Sequence, residues 1–115
     1  MKEIKTDDYR VVYELDDNTI AWMGTLRLNG MEEYRPIIDF LNAIAADAPS
    51  QIVLDMTELE FLNSSGINVL SRFVINIRQQ KTIAMVVKGS KRIPWQGKSL
   101  KNLQRLMPSL ELQIS

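Results

Sequence analysis

The sequence predicts a single α/β domain, and three observations lead to this prediction. The 115 residues are the length of one ordinary domain. Apolar residues make up 45% of the chain and charged residues 24%, which suffices for one modest hydrophobic core. Segments of period two alternate with segments of helical period along the chain. We therefore expect residues 1–115 to form a mixed sheet of about four to five strands with helices packed on it.

The first half of the chain is predicted to form a β-hairpin followed by a helix. Residues 10–15 and 20–28 alternate between apolar and polar side chains, and residues 16–18 between them are typical of a turn. From residue 29 the apolar period becomes helical. Pro36 fits this helix only in its first turn, and we expect the helix to end before Pro49.

The second half is predicted to continue the alternation of strands and helices. Three apolar strands are expected, at residues 51–56, 82–87 and 110–114. Residues 57–62 are interpreted as a connection to a helix that begins at about Ser64, and a further helix is expected to end at Pro108. Right-handed crossovers would bring the strand-to-helix junctions to one edge of the sheet.

The composition excludes several kinds of chemistry. The chain contains no Cys and no His, which excludes disulfides, thiolate nucleophiles, zinc and haem ligation by these residues, and Ser-His-Asp triads. The apolar runs are far shorter than the ~18 residues needed to span a bilayer, and the first residues lack the apolar core of a signal peptide. We expect no metal, no cofactor, no membrane segment and a cytoplasmic protein.

The charges are unevenly distributed along the chain. Residues 1–60 carry 5 basic and 13 acidic side chains, a balance of −8, and residues 61–115 carry 9 basic and 1 acidic, a balance of +8. Such asymmetry can mark a face for an anionic partner. The alternative, which we expect, is that the two halves interleave in space and cancel, because halves of a sequence are not necessarily halves of a surface.

The junction before the second helix is the most informative segment. Asn63 or Ser64 is a preferred N-cap residue, and a helix start offers unpaired N–H groups and a partial positive charge. A phosphate on a serine hydroxyl there would be received by the backbone, and the nearest side chains that follow include Arg72 rather than any carboxylate. The alternative interpretation is that these residues only cap the helix.

Two segments around this junction resemble a known family. Ile52–Met56 reads I-V-L-D-M and Asn63–Leu70 reads N-S-S-G-I-N-V-L. They resemble the V-L-D-L strand and the D-S-S-G-L-G-V-L helix start of STAS domains, the domains of anti-sigma-factor antagonists. Gly24–Leu28 is a weaker match to an earlier strand end. Asn63 and Arg27 stand where the family usually has acidic residues. This loses two negative charges, which would weaken docking to a kinase that expects them and ease the electrostatic cost of a phosphoserine.

The resemblance implies a STAS-like domain over residues 1–115 that catalyses nothing and acts by partner switching. It implies Ser64 as the phosphoacceptor, with phosphate or partner binding by Asn63, Ser65, Gly66 and Asn68. The implied partners are a serine kinase related to anti-sigma factors, with a histidine-kinase-type ATPase fold, and a PP2C-type phosphatase. A phosphate adds about −1.5 to −2 charge and would disrupt a tight interface. The exposed edge of the predicted hairpin also permits a homodimer.

A nucleic-acid or other anion-binding module is an alternative from another class. Residues 88–98 are rich in basic side chains around Trp95, and Lys101 and Arg105 follow. Such a segment could follow a phosphate backbone and stack a base on the indole. We favour a solvated loop with Trp95 packed onto the core, so nucleic acid is not an expected partner.

An enzyme is the weakest alternative. Asp55 with Glu58 or Glu60 could form a carboxylate pair for acid–base work or Mg²⁺ binding. Such loose spacing is common by chance, and no second group that could act as a general base is available. We expect solvated loop acids, with Asp55 capping the connection.

Overall fold

The order of the strands in the sheet is the order of the strands in the chain. The computed structural model describes residues 2–115, which form one six-stranded sheet in the order β1 to β6. β2 pairs antiparallel with both β1 and β3, and β3 to β6 run parallel. The strands are β1 Lys2–Lys5, β2 Tyr9–Glu14, β3 Thr19–Leu26, β4 Gln51–Leu62, β5 Ala84–Gly89 and β6 Glu111–Ile114.

The helices connect the parallel strands. Their bounds are α1 Gly30–Glu33, α2 Arg35–Ala46, α3 Ser64–Gln80 and α4 Gln96–Leu106. The expectations that Pro36 lies in the first turn of its helix, that this helix ends before Pro49 and that α3 begins at Ser64 are confirmed. Helix α3 contacts both α2 and α4, so the three long helices pack side by side. None of the helices in residues 2–115 has the length and apolar character required to cross a membrane.

The core lies between the helices and one face of the sheet. Alternate residues of the strands are buried there, beginning with Val11 and Tyr13 on β2 and Ile20 and Trp22 on β3. The helices contribute apolar stripes at helical spacing, the longest of them on α3. This stripe consists of Val69, Leu70, Phe73, Val74 and Ile77.

The prediction that residues 57–62 form a connection is wrong, because β4 continues to Leu62. Its side chains in the hydrophobic core follow a spacing of two and then of three: Ile52, Leu54, Met56, Leu59 and Leu62. Against β3, the pairing shifts once between Ala21/Asp55 and Met23/Glu58 and again between Gly24/Leu59 and Thr25/Phe61. Each shift places one extra residue in β4, as in a β-bulge. Because of these two bulges, β4 continues as a strand through residues 57–62, although the apolar side chains there no longer alternate.

The prediction of about four to five strands is one strand too low. The missing strand is β1, which pairs antiparallel with β2. Only Ile4 in β1 is even half-buried, so this segment carries no apolar alternation. The exposed hairpin edge that we expected is therefore covered by β1, and the outer strands of the sheet are β1 and β6.

The expectation that the two charged halves interleave is also wrong. Because the strand order follows the chain, residues 1–60 supply β1 to β3, α2 and most of β4, whereas residues 61–115 supply α3, β5, α4 and β6. The acidic half and the basic half therefore lie on opposite sides of β4. The charge separation of the sequence is a charge separation of the folded molecule.

Candidate functional site at the start of α3

Helix α3 begins directly after β4, and Asn63 is its N-cap. Asn63 has extended backbone angles, and its side-chain Oδ1 accepts a hydrogen bond from the Gly66 N–H at 3.0 Å. The Ile67 N–H donates to the Asn63 carbonyl at 3.0 Å, which is the first bond of the helix. Of the two cap candidates, Asn63 therefore has this role, and Ser64 is the first residue of the helix.

The side chain of Asn63 also connects three separate parts of the chain. The Tyr34 hydroxyl donates to Asn63 Oδ1 at 2.7 Å, and Asn63 Nδ2 donates to the Leu28 carbonyl at 2.7 Å. The start of α3 is thereby held to the start of α2 and to the segment after β3. An aspartate, the usual family residue here, could not donate to the Leu28 carbonyl. This explains in part why an amide suits the position.

Tyr34 supports the candidate site through its hydrogen bond to Asn63, which the sequence did not reveal. Its side chain is 1% exposed. Burial disfavours the charged phenolate and raises the pKa of Tyr34 to about 12. The hydroxyl therefore remains protonated at neutral pH and acts as a donor to Asn63. The only sequence signal was a hydroxyl at the start of an otherwise apolar helical stripe.

Gly66 is required by the close approach of Tyr34. A Cβ atom at this position would lie 2.3 Å from Leu62 Cδ1 and 2.6 Å from the Tyr34 hydroxyl oxygen. Any larger residue would force the side chain of Leu62 or Tyr34 to move. The Gly66 N–H is already bonded to the Asn63 side chain. Its contribution to the site is thus the packing and capping of α3, rather than a free amide.

The remaining predicted residues lie on the outer surface of the helix start. Ser64 and Asn68 are exposed, and Ser65 is half-buried. Ser64 and Asn68 are one turn apart and therefore share a face of α3. The first turn of the helix contains no acidic residue. The structure thus brings an exposed hydroxyl to the positive end of a 17-residue helix, above the fixed network of Asn63, Tyr34 and Gly66.

Two residues flank this junction: Arg27, which directly follows β3, and Phe61, near the end of β4. The Arg27 guanidinium lies 4.6 Å from the centroid of the Phe61 ring, a cation–π contact. Phe61 is nevertheless 38% exposed. The surface beside Ser64 therefore combines a positive charge with an accessible aromatic ring, where the family usually has an acidic residue.

The next junction along the sheet edge, between β5 and α4, has a different construction. Gln96 is fully buried; its Nε2 donates to the Met56 and Leu59 carbonyls at 2.6 and 2.9 Å, and its Oε1 accepts from the Ser90 N–H at 2.7 Å. The pairing of β4 with β5 extends only to Asp55 and its partner. Gln96 therefore provides hydrogen bonds to β4 beyond the end of its ladder with β5. Sequence reasoning missed this residue, since a single Gln carries no distinguishing pattern.

Trp95 supports the same stretch of β4. Its Nε1 donates to the Glu60 carbonyl at 2.9 Å, and its ring packs against the core as we expected. The indole is engaged within the fold and is not free to stack on a base.

The acidic residues of β4 that could have formed a carboxylate pair do not share a site. Asp55 accepts from the Thr57 N–H at 3.1 Å and from the Thr57 hydroxyl at 2.6 Å, a local cap of the first bulge. Glu58 and Glu60 are exposed. Residues 2–115 contain no group of three or more acidic side chains arranged to hold a metal ion.

Comparison with a family model identifies the fold. The model of the STAS domain matches residues 25–94, which include the strand β4, the whole of α3 and the junction between them. The chain belongs to the STAS domain family. A search of curated protein sequences found no match.

Solved structures share this fold across nearly the whole chain. A chain in the crystal structure of the diguanylate cyclase SiaD in complex with its activator SiaC, from Pseudomonas aeruginosa, is 15% identical with a TM-score of 0.74, covering 100% of both chains. SiaC itself is 15% identical with a TM-score of 0.72, covering 100% of this chain and 98% of SiaC. An anti-sigma factor antagonist from Mycobacterium paratuberculosis is 21% identical with a TM-score of 0.70, covering 93% of this chain and 88% of the antagonist.

Proposed function

We propose that this STAS protein is a non-catalytic regulator that binds a partner protein next to the start of α3 and is controlled by phosphorylation of Ser64. The observation that carries the proposal is the exposed Ser64, the first residue of α3, within the part of the chain that matches the STAS family. Two of the similar structures support a role in protein binding: one is an anti-sigma factor antagonist, and another contains SiaC as the activator bound to its cyclase.

The geometry of the helix start is suited to carrying a phosphate. A phosphoserine at the first helical position would lie at the positive end of the α3 dipole, which stabilises a negative charge by about 0.3–1 kcal/mol. The first turn of α3 contains no carboxylate that would repel the phosphate. The charge would be tolerated by the free protein but would require desolvation inside an interface. Phosphorylation would therefore release the partner while leaving the fold intact.

The partners follow from this mechanism. We assign the phosphorylation to a serine kinase related to anti-sigma factors and the reversal to a PP2C-type phosphatase. We place residues 1–115 in the cytoplasm, where ATP-dependent kinases act, as one domain. Ser65 and Asn68 flank Ser64 on the outer side of α3 and would contact the partner, whereas Asn63 and Gly66 hold the helix start in place.

The phosphorylation is tested on protein isolated from its own host in the presence of phosphatase inhibitors. We expect an intact mass raised by one phosphate, mapped to Ser64 and removed by a PP2C-type phosphatase. The Ser64→Ala variant should lack the modification, and the matched Ser65→Ala variant should keep it. A phosphate mapped elsewhere, or none under conditions that both activate and silence the host pathway, would contradict the proposal.

A further inference from the structure

A groove lies between α2 and α3, one to two turns beyond Ser64. It has a volume of about 250 Å³. Its floor is apolar, because Leu41, Val69 and Phe73 are almost completely buried beneath it and Met31 and Ile38 are half-buried along it. A cavity of about 150 Å³ can hold benzene, so the groove has room for an aromatic or a large aliphatic side chain from another molecule.

Two arginines on different helices border the groove. Arg35 at the start of α2 and Arg72 in the middle of α3 both line it, and both are exposed. The only ion pair within 4 Å in residues 2–115 joins Arg10 to Glu3, so neither guanidinium is paired with a carboxylate in this part of the chain. None of the residues that line the groove is acidic. Two unpaired guanidinium groups beside an apolar floor are suited to carboxylates, which they can bind in a bidentate manner.

The groove is continuous with the proposed switch site. Val69 follows Ser65 by one turn, and Arg72 follows Asn68 by one turn, so these pairs lie along neighbouring stripes of α3. A partner that covers Ser64 and Asn68 would reach the groove by extending about two turns along the helix.

The charge of the molecule favours an acidic occupant. No carboxylate occurs between Phe61 and Leu110. Because strand order follows chain order, this basic half forms one side of the fold, and α3 is its border with the acidic half. The positive field on the α3–α4 side would attract an acidic segment to the α3 wall of the groove. The α2 wall belongs to the acidic half, and Arg35 is the one charged side chain that it contributes to the groove.

We propose that the groove between α2 and α3 binds an acidic amphipathic segment of a partner protein. In this complex a large apolar side chain of the segment lies on Val69 and Phe73, and its carboxylates bind Arg35 and Arg72. The inference rests on the proposed function, because it names the surface and the chemistry by which the regulator holds its partner. Phosphorylation of Ser64 would then add negative charge at the end of a groove that receives negative charge.

The test uses a helical peptide of about four turns with Leu and Phe on one face and Glu on both flanks, and a matched peptide with Lys in place of every Glu. Each is titrated into the unphosphorylated protein while amide NMR shifts are recorded. We expect saturable shifts at Ile38, Val69 and Phe73 with the Glu peptide, and binding of the Lys peptide that is weaker by about tenfold or more.

Charge reversal separates the groove from the rest of the basic surface. The double variant Arg35→Glu, Arg72→Glu should weaken binding of the Glu peptide by about tenfold or more, since both carboxylate contacts are lost. The matched double variant Lys101→Glu, Arg105→Glu changes the net charge equally on α4 and should weaken binding by less than about threefold. Thermal unfolding midpoints close to that of the parent protein establish that both variants are folded.

Three results would overturn the inference. The first is equal binding of the Glu and Lys peptides. The second is the absence of shifts in the groove, either because the amide NMR shifts are confined to α4 and β6 or because the peptide does not bind. The third is a change of the groove signals with protein concentration alone, which would assign the groove to a second copy of the chain. The peptide titration contains no kinase and no phosphate, so these results would not contradict the phosphorylation of Ser64. In the same way, absence of phosphate on Ser64 would not contradict peptide binding in the groove.

Discussion

The two neighbouring strand-to-helix junctions of the sheet use polar side chains in opposite ways. At the β4–α3 junction, Asn63 caps the helix and the next residue, Ser64, is exposed. At the β5–α4 junction, the helix has no side-chain cap, and its first residue, Gln96, is fully buried and bonded to β4. Two successive βαβ units thus differ: the first has an exposed hydroxyl at its helix start, and the second has a buried side chain that hydrogen-bonds the neighbouring strand.

The difference originates in the bulges of β4. Beyond Asp55 this strand pairs with β3 but no longer with β5, so its other side needs hydrogen bonds from elsewhere. Gln96 and Trp95 provide them from the start of α4. The polar side chain that begins α4 therefore stabilises the sheet. Of the two junctions, only the one before α3 has an exposed polar residue as the first residue of its helix. Three substitutions test this comparison.

The largest effect is expected from Gln96→Leu, which removes the side-chain hydrogen bonds between the start of α4 and β4. Two carbonyls of β4 and the Ser90 N–H would lose their partner in a buried environment, so the free energy of unfolding should fall by about 3 kcal/mol in urea denaturation. Asn102→Leu on the exposed side of α4 is the control and should change it by less than about 0.5 kcal/mol. A loss below about 1 kcal/mol for Gln96→Leu would show that the hydrogen bonds of Gln96 do not stabilise the fold as proposed.

An intermediate effect is expected from Asn63→Ala at the first junction. It removes the cap and leaves the Tyr34 hydroxyl and the Leu28 carbonyl unpaired, so the free energy of unfolding should fall by about 2 kcal/mol. Asn63→Asp keeps the acceptor and loses only the donor to Leu28, and we expect about half this loss. The control is Asn68→Ala, expected to lie within about 0.5 kcal/mol of the parent. Equal losses for Asn63→Ala and Asn68→Ala would refute the distinct role of the network.

The smallest effect is expected from Tyr34→Phe, about 1 kcal/mol at neutral pH, because only one hydrogen bond is lost. The folded-state pKa of Tyr34 is about 12, above the ordinary value of 10.0. The stability linked to this group is therefore fully present below pH 10 and is lost as the pH rises from 10 towards 12. Between these values the parent protein should lose stability more steeply than the Phe variant.

The pH experiment contains its own control. Tyr9 and Tyr13, whose pKa values burial also raises, are present in both proteins. The titration of Tyr13 therefore cancels when the two unfolding curves are compared at each pH. The charge of Tyr9 acts on Tyr34, so its effect is part of the difference between the two proteins. Parallel stability profiles of the parent and the Phe variant above pH 10 would show that Tyr34 ionises as readily in the folded as in the unfolded chain.

Local patterns in the sequence predicted most of the architecture but not the contacts that shape the site. The helix start at Ser64 was predictable because an Asn-Ser-Ser-Gly segment followed by a helical apolar stripe depends only on nearby residues. The extension of β4 was not, since apolar residues three apart, such as Met56, Leu59 and Leu62, do not indicate a strand. The strand β1 was missed because its pairing, rather than its apolar content, defines it.

By itself the sequence determined the α/β class, the helix that begins at Ser64 and the separation of acidic from basic residues along the chain. These properties follow from periodicity, capping and composition, which are local. The tertiary structure alone decided that strand order follows chain order, which turns the charge separation into two sides of a molecule. It also decided that Tyr34 and Gln96 support the two junctions, because their partners lie 29 and about 40 residues away along the chain.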